Sequence, residues 1–351
     1  MKNENDITIL LTEFQREEGD SFTCNEEAVR AEYEKKHTQA TPLAIQVLSM
    51  LGGILGTLFF LGFLGVTGFY SSESAMMILG IGLIGASIGV NRFLDKPLLD
   101  TITVSFYVAG FCLLGFGIGG SSTTICLVFI AIALVTLFIV QNFMLSFLSI
   151  LIINGSIMLI MERNHFFDEL YVYIAVLIAA LNYLFFKEAK IITTNPNICR
   201  LYRPVRIALL FSLAGVLILT VIPHWIGQSY WVLLPSAASV AAILYLVSHI
   251  ISLLNVENTT YKQIIYVFVL LLLLPTALFP PLSVSLMIIL LCFRFNYKTG
   301  FVIGIISFIY FIGQYYYDLD LTLLVKSILM IVSGVLFLLF FLFTRHKLAS
   351  K

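Results

Sequence analysis

From Thr41 onward the chain is a succession of apolar runs, each about as long as a membrane is thick. Crossing about 30 Å of hydrocarbon takes roughly 20 helical residues. No water is present there to satisfy an open backbone, so a spanning segment must be helical or part of a closed barrel. These runs are continuous rather than alternating, which selects helices. Breaks at polar residues, Gly and Pro divide them into 43–69, 74–91, 99–118, 123–140, 143–161 and 168–187, then 205–224, 229–254, 262–278, 280–296, 298–316 and 320–343. The expected fold is all-α: a polytopic transmembrane helix bundle of about twelve spans. The segment holding Pro275, Pro280 and Pro281 admits two readings, two short spans with a turn or one span plus a re-entrant piece.

Charge supports the same division. Only 11% of residues are charged and 60% are hydrophobic, too apolar for a water-soluble core of this size. With the N-terminus in the cytoplasm, the inner side collects the tail, the 92–98 loop, the 187–206 loop, Lys262, Arg294, Lys298 and the C-terminus, which together hold 18 of the 20 Lys and Arg. Arg163 falls outside and Lys326 within a span. Cationic loops stay on the cytoplasmic side, so the pattern predicts N-in/C-in topology. Trp225, Tyr230, Trp231 and Tyr315 to Tyr317 fall at expected outer ends, where amphipathic rings settle.

The organisation follows. Residues 1–41 are a cytoplasmic, partly helical tail, with Ile7, Leu10, Leu11 and Phe14 on one helical face and a second short helix from Asn25 to about Lys36. Residues 42–345 are the membrane domain: 42–187 carry six spans, 188–204 form a basic cytoplasmic linker, and 205–345 carry six more. Residues 346–351 are cytoplasmic. The polar start offers no cleavable signal peptide. The zero net charge points away from nucleic acid as a partner. The five cysteines are scattered without a C-x-x-C pair, so no disulfide or metal framework is expected. Fifteen of the 23 glycines lie between Gly52 and Gly120. The G-x-x-x-G spacings Gly52/Gly56, Gly85/Gly89 and Gly300/Gly304 predict close helix packing.

One stretch stands apart. Tyr315, Tyr316, Tyr317, Asp318, Asp320, Thr322, Lys326 and Ser327 put aromatics, carboxylates and a cation at the edge of the last apolar run. A charge at mid-membrane costs at least about 2.5–3.5 kcal/mol. Lys326 lies about 9 Å beyond Asp320 along a helix, close enough for its ammonium to snorkel to the interface. Two readings fit it: an ammonium that snorkels or pairs with a carboxylate to fix the last helix, or a functional cation that holds an anionic group or a proton-coupled site. A second set, Glu162, His165, Asp168, Glu169, His224, Asp318 and Asp320, clusters on the expected outer side. It lacks a compact metal-binding spacing such as H-E-x-x-H. Asn142, Asn154, Asn182, His249 and Gln314 are expected to hydrogen-bond between helices. No phosphate-binding loop, nucleophile elbow or row of arginines occurs.

The run Tyr-Tyr-Tyr-x-Leu-x-x-Thr-Leu-Leu-x-Lys-Ser from Tyr315 to Ser327, with Gly334 beyond it, resembles the hallmark of a bacterial membrane family, domain-of-unknown-function family 4401. Ile9-Leu10-Leu11 to Gly19, Thr41-Pro42, and Phe93-Leu94-Asp95 to Gly110 are similar in order to its other segments. Pro42-Leu43 departs from the Pro-Trp that often precedes the first span. The resemblance implies a multi-pass protein of the bacterial inner membrane, with other membrane proteins as partners in a joint system. It implies no activity and no cofactor.

Three functions are consistent with these residues: a non-enzymatic scaffold or subunit, a transporter with a site near Lys326, and a membrane enzyme using the outer carboxylates. The charge pattern makes one direct prediction. A reporter active only in the cytoplasm is expected to work when fused near residue 200 and to be silent near residue 164. Activity at 164 with silence at 200 would reverse the orientation.

Overall fold

The computed structural model describes residues 43–93, 97–140, 142–194, 196–221, 231–253, 259–277 and 279–318, with Glu27 and seven positions between 324 and 338. The expected tail helices fall outside the described residues. Among the described residues every regular element is a helix. The chain divides into two units, Met1–Thr67 and Gly68–Lys351.

The described part of the first unit is α1, Leu43–Val66. The second unit opens with a 3-10 turn, Phe69–Ser71, started by Gly68 at φ 74°. A side chain there would be strained, so glycine suits the position. The helices that follow are α2 (Glu73–Phe93), α3 (Pro97–Gly117), α4 (Ser122–Ile139), α5 (Phe143–Arg163), α6 (Phe167–Phe186), α7 (Glu188–Thr194) and α8 (Pro196–Val221). Then come α9 (Leu233–Leu253), α10 (Thr259–Ala277), α11 (Pro280–Arg294) and α12 (Lys298–Asp318). The sequence marks their starts. The Ser121 side chain accepts from the Thr124 N–H, and the Asn142 side chain accepts from the Met144 N–H. Both satisfy amides that a helix's first turn leaves open.

Among the described residues seven helices are long and apolar enough to cross a membrane: α2, α4, α5, α6, α8, α9 and α12. Leu55–Val66, Ile102–Gly117 and Pro280–Arg294 are apolar but shorter. The Pro275–Pro281 segment separates two helices, with Pro280 and Pro281 opening α11. Proline is tolerated there because a first-turn residue has no intrahelical use for its N–H.

One expectation is corrected. Residues 188–204, read as a linker broken by Pro196 and Pro204, are largely helical. Pro196 begins α8, and Pro204 lies inside it. The first proline fits a helix start, and the helix runs on through the second.

Two apolar clusters form the core of the second unit. One gathers Ile84, Tyr107, Phe111, Leu114, Ala133 and Leu145 from α2 to α5. The other gathers residues of α6 and α8 to α12, including Ile174, Leu181, Leu213, Ile243, Ile288 and Phe311. α5 packs on α8 between them, with Phe147 and Phe211 edge to face at 5.8 Å. Ten of the fifteen residues of α11 are buried, which makes this short helix the axis of the second cluster. At 1.5 Å per residue it is about 22 Å long.

Between helices in lipid there is little hydrophobic drive, so close packing and internal hydrogen bonds hold the bundle. The close approach falls at Gly80 and Gly110. A Cβ on Gly110 would lie 2.8 Å from the Gly80 carbonyl oxygen and 2.6 Å from Ile84 Cγ1. Gly300 and Gly304 are equally tight, against Cys292 Sγ at 2.6 Å and Ile289 Cγ1 at 2.9 Å. Gly85 and Gly89 face open space, so of the two spacings in the second unit only Gly300/Gly304 packs closely.

Gly110→Leu is therefore expected to destabilise the protein by about 1–3 kcal/mol, seen as a lower melting temperature in detergent. Gly85→Ala, with room for its methyl, should stay within about 0.5 kcal/mol. Equal effects of the two would contradict this packing.

Candidate functional site

Several polar groups inside the bundle join helices, while others, such as Thr136 and Ser285, bond to carbonyls of their own helix. Ser87 Oγ donates to the Thr103 carbonyl at 2.8 Å, linking α2 to α3. Tyr107 and Ser149 share a hydrogen bond of 2.7 Å between α3 and α5. The Tyr173 hydroxyl donates to Asn154 Oδ1, linking α6 to α5. Asn182 reaches the Met287 sulfur at 3.3 Å between α6 and α11. Ser239 and Ser283 meet at 2.9 Å between α9 and α11. Asn154 and Asn182 thus take the interhelical role expected of them, while Asn142 caps α5. Such bonds average about 0.6 kcal/mol in a membrane, so they fix which faces meet more than they add stability.

The C-terminal aromatic stretch is placed in part. Tyr315, Tyr316 and Tyr317 form the end of α12, and Asp318 is its last residue. Tyr315 is half-buried with its ring 5.2 Å from Phe279, at the turn between α10 and α11. Tyr317 is 81% exposed, as an interfacial ring would be. Ser327 is helical and exposed. Asp320, Thr322 and Lys326 lie outside the described residues, as does His224.

Of the second expected set, Glu162, His165, Asp168 and Glu169 sit at the tight turn between α5 and α6, whereas Asp318 ends α12. His165 adopts φ 58°, and its ring lies 5.6 Å from that of Phe167. Glu162 faces Arg163 at 3.8 Å in an exposed pair. Asp168 and Glu169 occupy the first turn of α6, where carboxylates complement the helix dipole. Among the described residues, no three His, Cys, Asp or Glu side chains are grouped to hold a metal ion. Cys112, Cys126, Cys199 and Cys292 are free thiols.

The site that sequence reasoning missed is centred on Arg206. Its position in a basic segment suggested only a cytoplasmic charge. Because α8 starts ten residues earlier, at Pro196, Arg206 lies three turns into a helix rather than in a loop. Its side chain is 12% exposed. Arg206 Nη1 donates to Glu188 Oε1 at 3.0 Å and to the Tyr202 hydroxyl at 3.3 Å. The guanidinium lies 3.9 Å from the Tyr297 ring centroid, 5.0 Å from that of Tyr202 and 5.3 Å from that of Phe185. The Tyr202 hydroxyl in turn donates to the Leu184 carbonyl at 3.2 Å. Four segments therefore meet on one cation: the end of α6, α7, α8 and the α11–α12 turn.

The chemistry suits a guanidinium. Its planar face accepts aromatic rings while its edge reaches a carboxylate. Taking this charge from water is costly unless it is paired, and Glu188 supplies the counter-charge. Arg206 Nε is buried with no hydrogen-bond partner, so the pairing is incomplete. Burial pushes the Tyr297 hydroxyl above the ordinary tyrosine range, and Arg206 opposes that shift. Phe185 and Phe186 extend the cluster to Phe295 at 5.5 and 5.4 Å, and Phe186 continues it to Tyr245 at 4.7 Å and His249 at 5.6 Å. The one available sequence signal was an arginine followed directly by the apolar run from Ile207.

The sequence model of the family "Domain of unknown function (DUF4401)" matches residues 42–346. The chain belongs to this family. No curated protein and no solved structure matches it. The DUF4401 match covers the region from the start of α1 to beyond α12, so the Arg206 cluster lies within the family's own domain.

Arg206→Ala should lower stability by about 2 kcal/mol, through loss of the ring contacts and the ion pair. Arg206→Lys keeps the charge without the planar face and should recover less than half of that loss. Arg203→Ala, at an exposed position, should be nearly neutral. Full rescue by lysine in thermal melting would show that charge alone matters.

Proposed function

We propose that this DUF4401 protein is a non-enzymatic subunit or scaffold of a bacterial envelope system, seated in the cytoplasmic membrane with other membrane proteins as partners. The reading includes twelve spans with both termini in the cytoplasm. One observation carries it: buried polar side chains such as Ser87, Tyr107, Asn154 and Ser239 are engaged in bonds between helices. This use of polar groups supports a framework. Large apolar side chains remain on the outside, including Phe59, Phe138 and Val267 at 76%, 81% and 66% exposure, and offer lipid or partner helices a surface to pack on.

A second reading, transport of a small solute or lipid, is supported by α11. This short helix opens with two prolines inside the bundle and carries buried Ser283 and Ser285. Interrupted helices of this kind build transporter sites. The site near Lys326 belongs to this reading.

Affinity purification of the full chain in mild detergent separates the two. Another membrane protein at fixed stoichiometry is the expected result. A chain recovered alone from several detergents would overturn the scaffold reading in favour of transport.

A further inference from the structure

The enclosed helix α11 carries polar groups on the face it turns to α6 and α9. Ser283 and Met287 are four residues apart, so they share one face of α11. On that face Ser283 Oγ meets Ser239 Oγ of α9 at 2.9 Å, and the Met287 sulfur accepts from Asn182 Nδ2 of α6 at 3.3 Å. α6 and α9 also pack on each other, with Phe186 against Tyr245 at 4.7 Å. α9 and α11 run the same way: their starts meet at Ser239 and Ser283, and Phe186 touches both His249 near the end of α9 and Phe295 just past α11. Three helices therefore close around one line of side chains. Ser236 lies about 4.5 Å before Ser239 along α9, and Met287 about 6 Å beyond Ser283 along α11, so Ser236 and Asn182 are about 10 Å apart along this seam.

Two atoms on the line, Ser236 Oγ and Asn182 Oδ1, are buried with no hydrogen-bond partner. Ser236 is 3% exposed. Ser239 is engaged elsewhere, with its Oγ 2.9 Å from the Ser236 carbonyl and close to Ser283 Oγ. Asn182 cannot turn its amide over, because Nδ2 donates to the Ile178 carbonyl at 2.8 Å. Its Oδ1 is left as an acceptor, while the Ser236 hydroxyl can donate or accept. Buried polar groups are paired with protein, water or a bound molecule, so two open ones on one seam point to an occupant. The surroundings select its charge. Residues 170–186, 233–248 and 280–293 contain no Asp, Glu, Lys, Arg or His. An ion there would lose its hydration without a counter-charge, whereas a neutral molecule loses far less.

We propose that the α6–α9–α11 seam binds and passes a small uncharged molecule that donates hydrogen bonds, held by Asn182 Oδ1 and the Ser236 hydroxyl. This route rests on the transport reading, at α11 rather than near Lys326, and completes it with a solute class. Water, the smallest such molecule, enters the same line.

Two measurements on the full chain test the proposal. In bilayer nanodiscs, hydroxyl-radical footprinting should oxidise Met287 several times faster than Met76, although the two are 1% and 3% exposed, because water reaches the Asn182 seam. This comparison needs no variant. In proteoliposomes, labelled urea should be taken up and guanidinium, a cation of the same shape, should not. Asn182→Leu should cut urea uptake by about three- to tenfold, the worth of one hydrogen bond, and should slow Met287 oxidation. Protection of Met287 equal to that of Met76 means a dry seam and overturns the proposal. So does urea uptake no faster than in empty liposomes, or uptake undiminished in a folded Asn182→Leu variant. Guanidinium passing as fast as urea, or alone, overturns the neutral class while leaving transport standing; a partner protein at fixed stoichiometry is what removes transport itself.

Discussion

The absence of water from the hydrocarbon layer governs this protein. Every backbone amide inside it must find a partner within its own helix. Side chains that carry hydrogen-bonding groups do best with a partner on their own helix or a neighbouring one. Ser87, Tyr107, Asn154 and Ser239 each tie one helix to another. Apolar packing then does the rest, and at Gly80 and Gly110 it brings two backbones together with no room for a side chain.

Among the described residues one buried charge is organised with particular care. Arg206 is drawn three turns into α8 because three rings and a carboxylate replace the water it loses. The cluster fixes α7 against the bundle and ties the turn between α11 and α12 to the end of α6.

Much of the architecture was legible in the chain. The runs 143–161, 168–187 and 298–316 correspond closely to Phe143–Arg163, Phe167–Phe186 and Lys298–Asp318. Length and hydropathy are local properties, and a membrane makes them decisive. Residues 188–204 were misread because Pro196 and Pro204 look like breaks, whereas one begins a helix and the other is carried inside it. The G-x-x-x-G spacings were a weak guide for a related reason. Spacing reports one helix and not its neighbour, so Gly85 and Gly89 face open space while Gly80 and Gly110, on different helices, meet. The Arg206 cluster was hidden because Phe185 and Tyr297 are far from it in sequence. No periodicity marks such a contact.

The order at this end of the bundle depends on Arg206 being a paired, packed cation rather than a solvated one. A double-mutant cycle with Glu188→Gln and Arg206→Gln, measured by unfolding of the protein in bilayer nanodiscs, tests this most directly. A coupling of at least about 1 kcal/mol between the two positions is predicted, and it should survive high salt because the pair is partly buried. Additive effects, with coupling below about 0.3 kcal/mol, would mean that Arg206 faces water and that the cluster does not organise this end of the bundle.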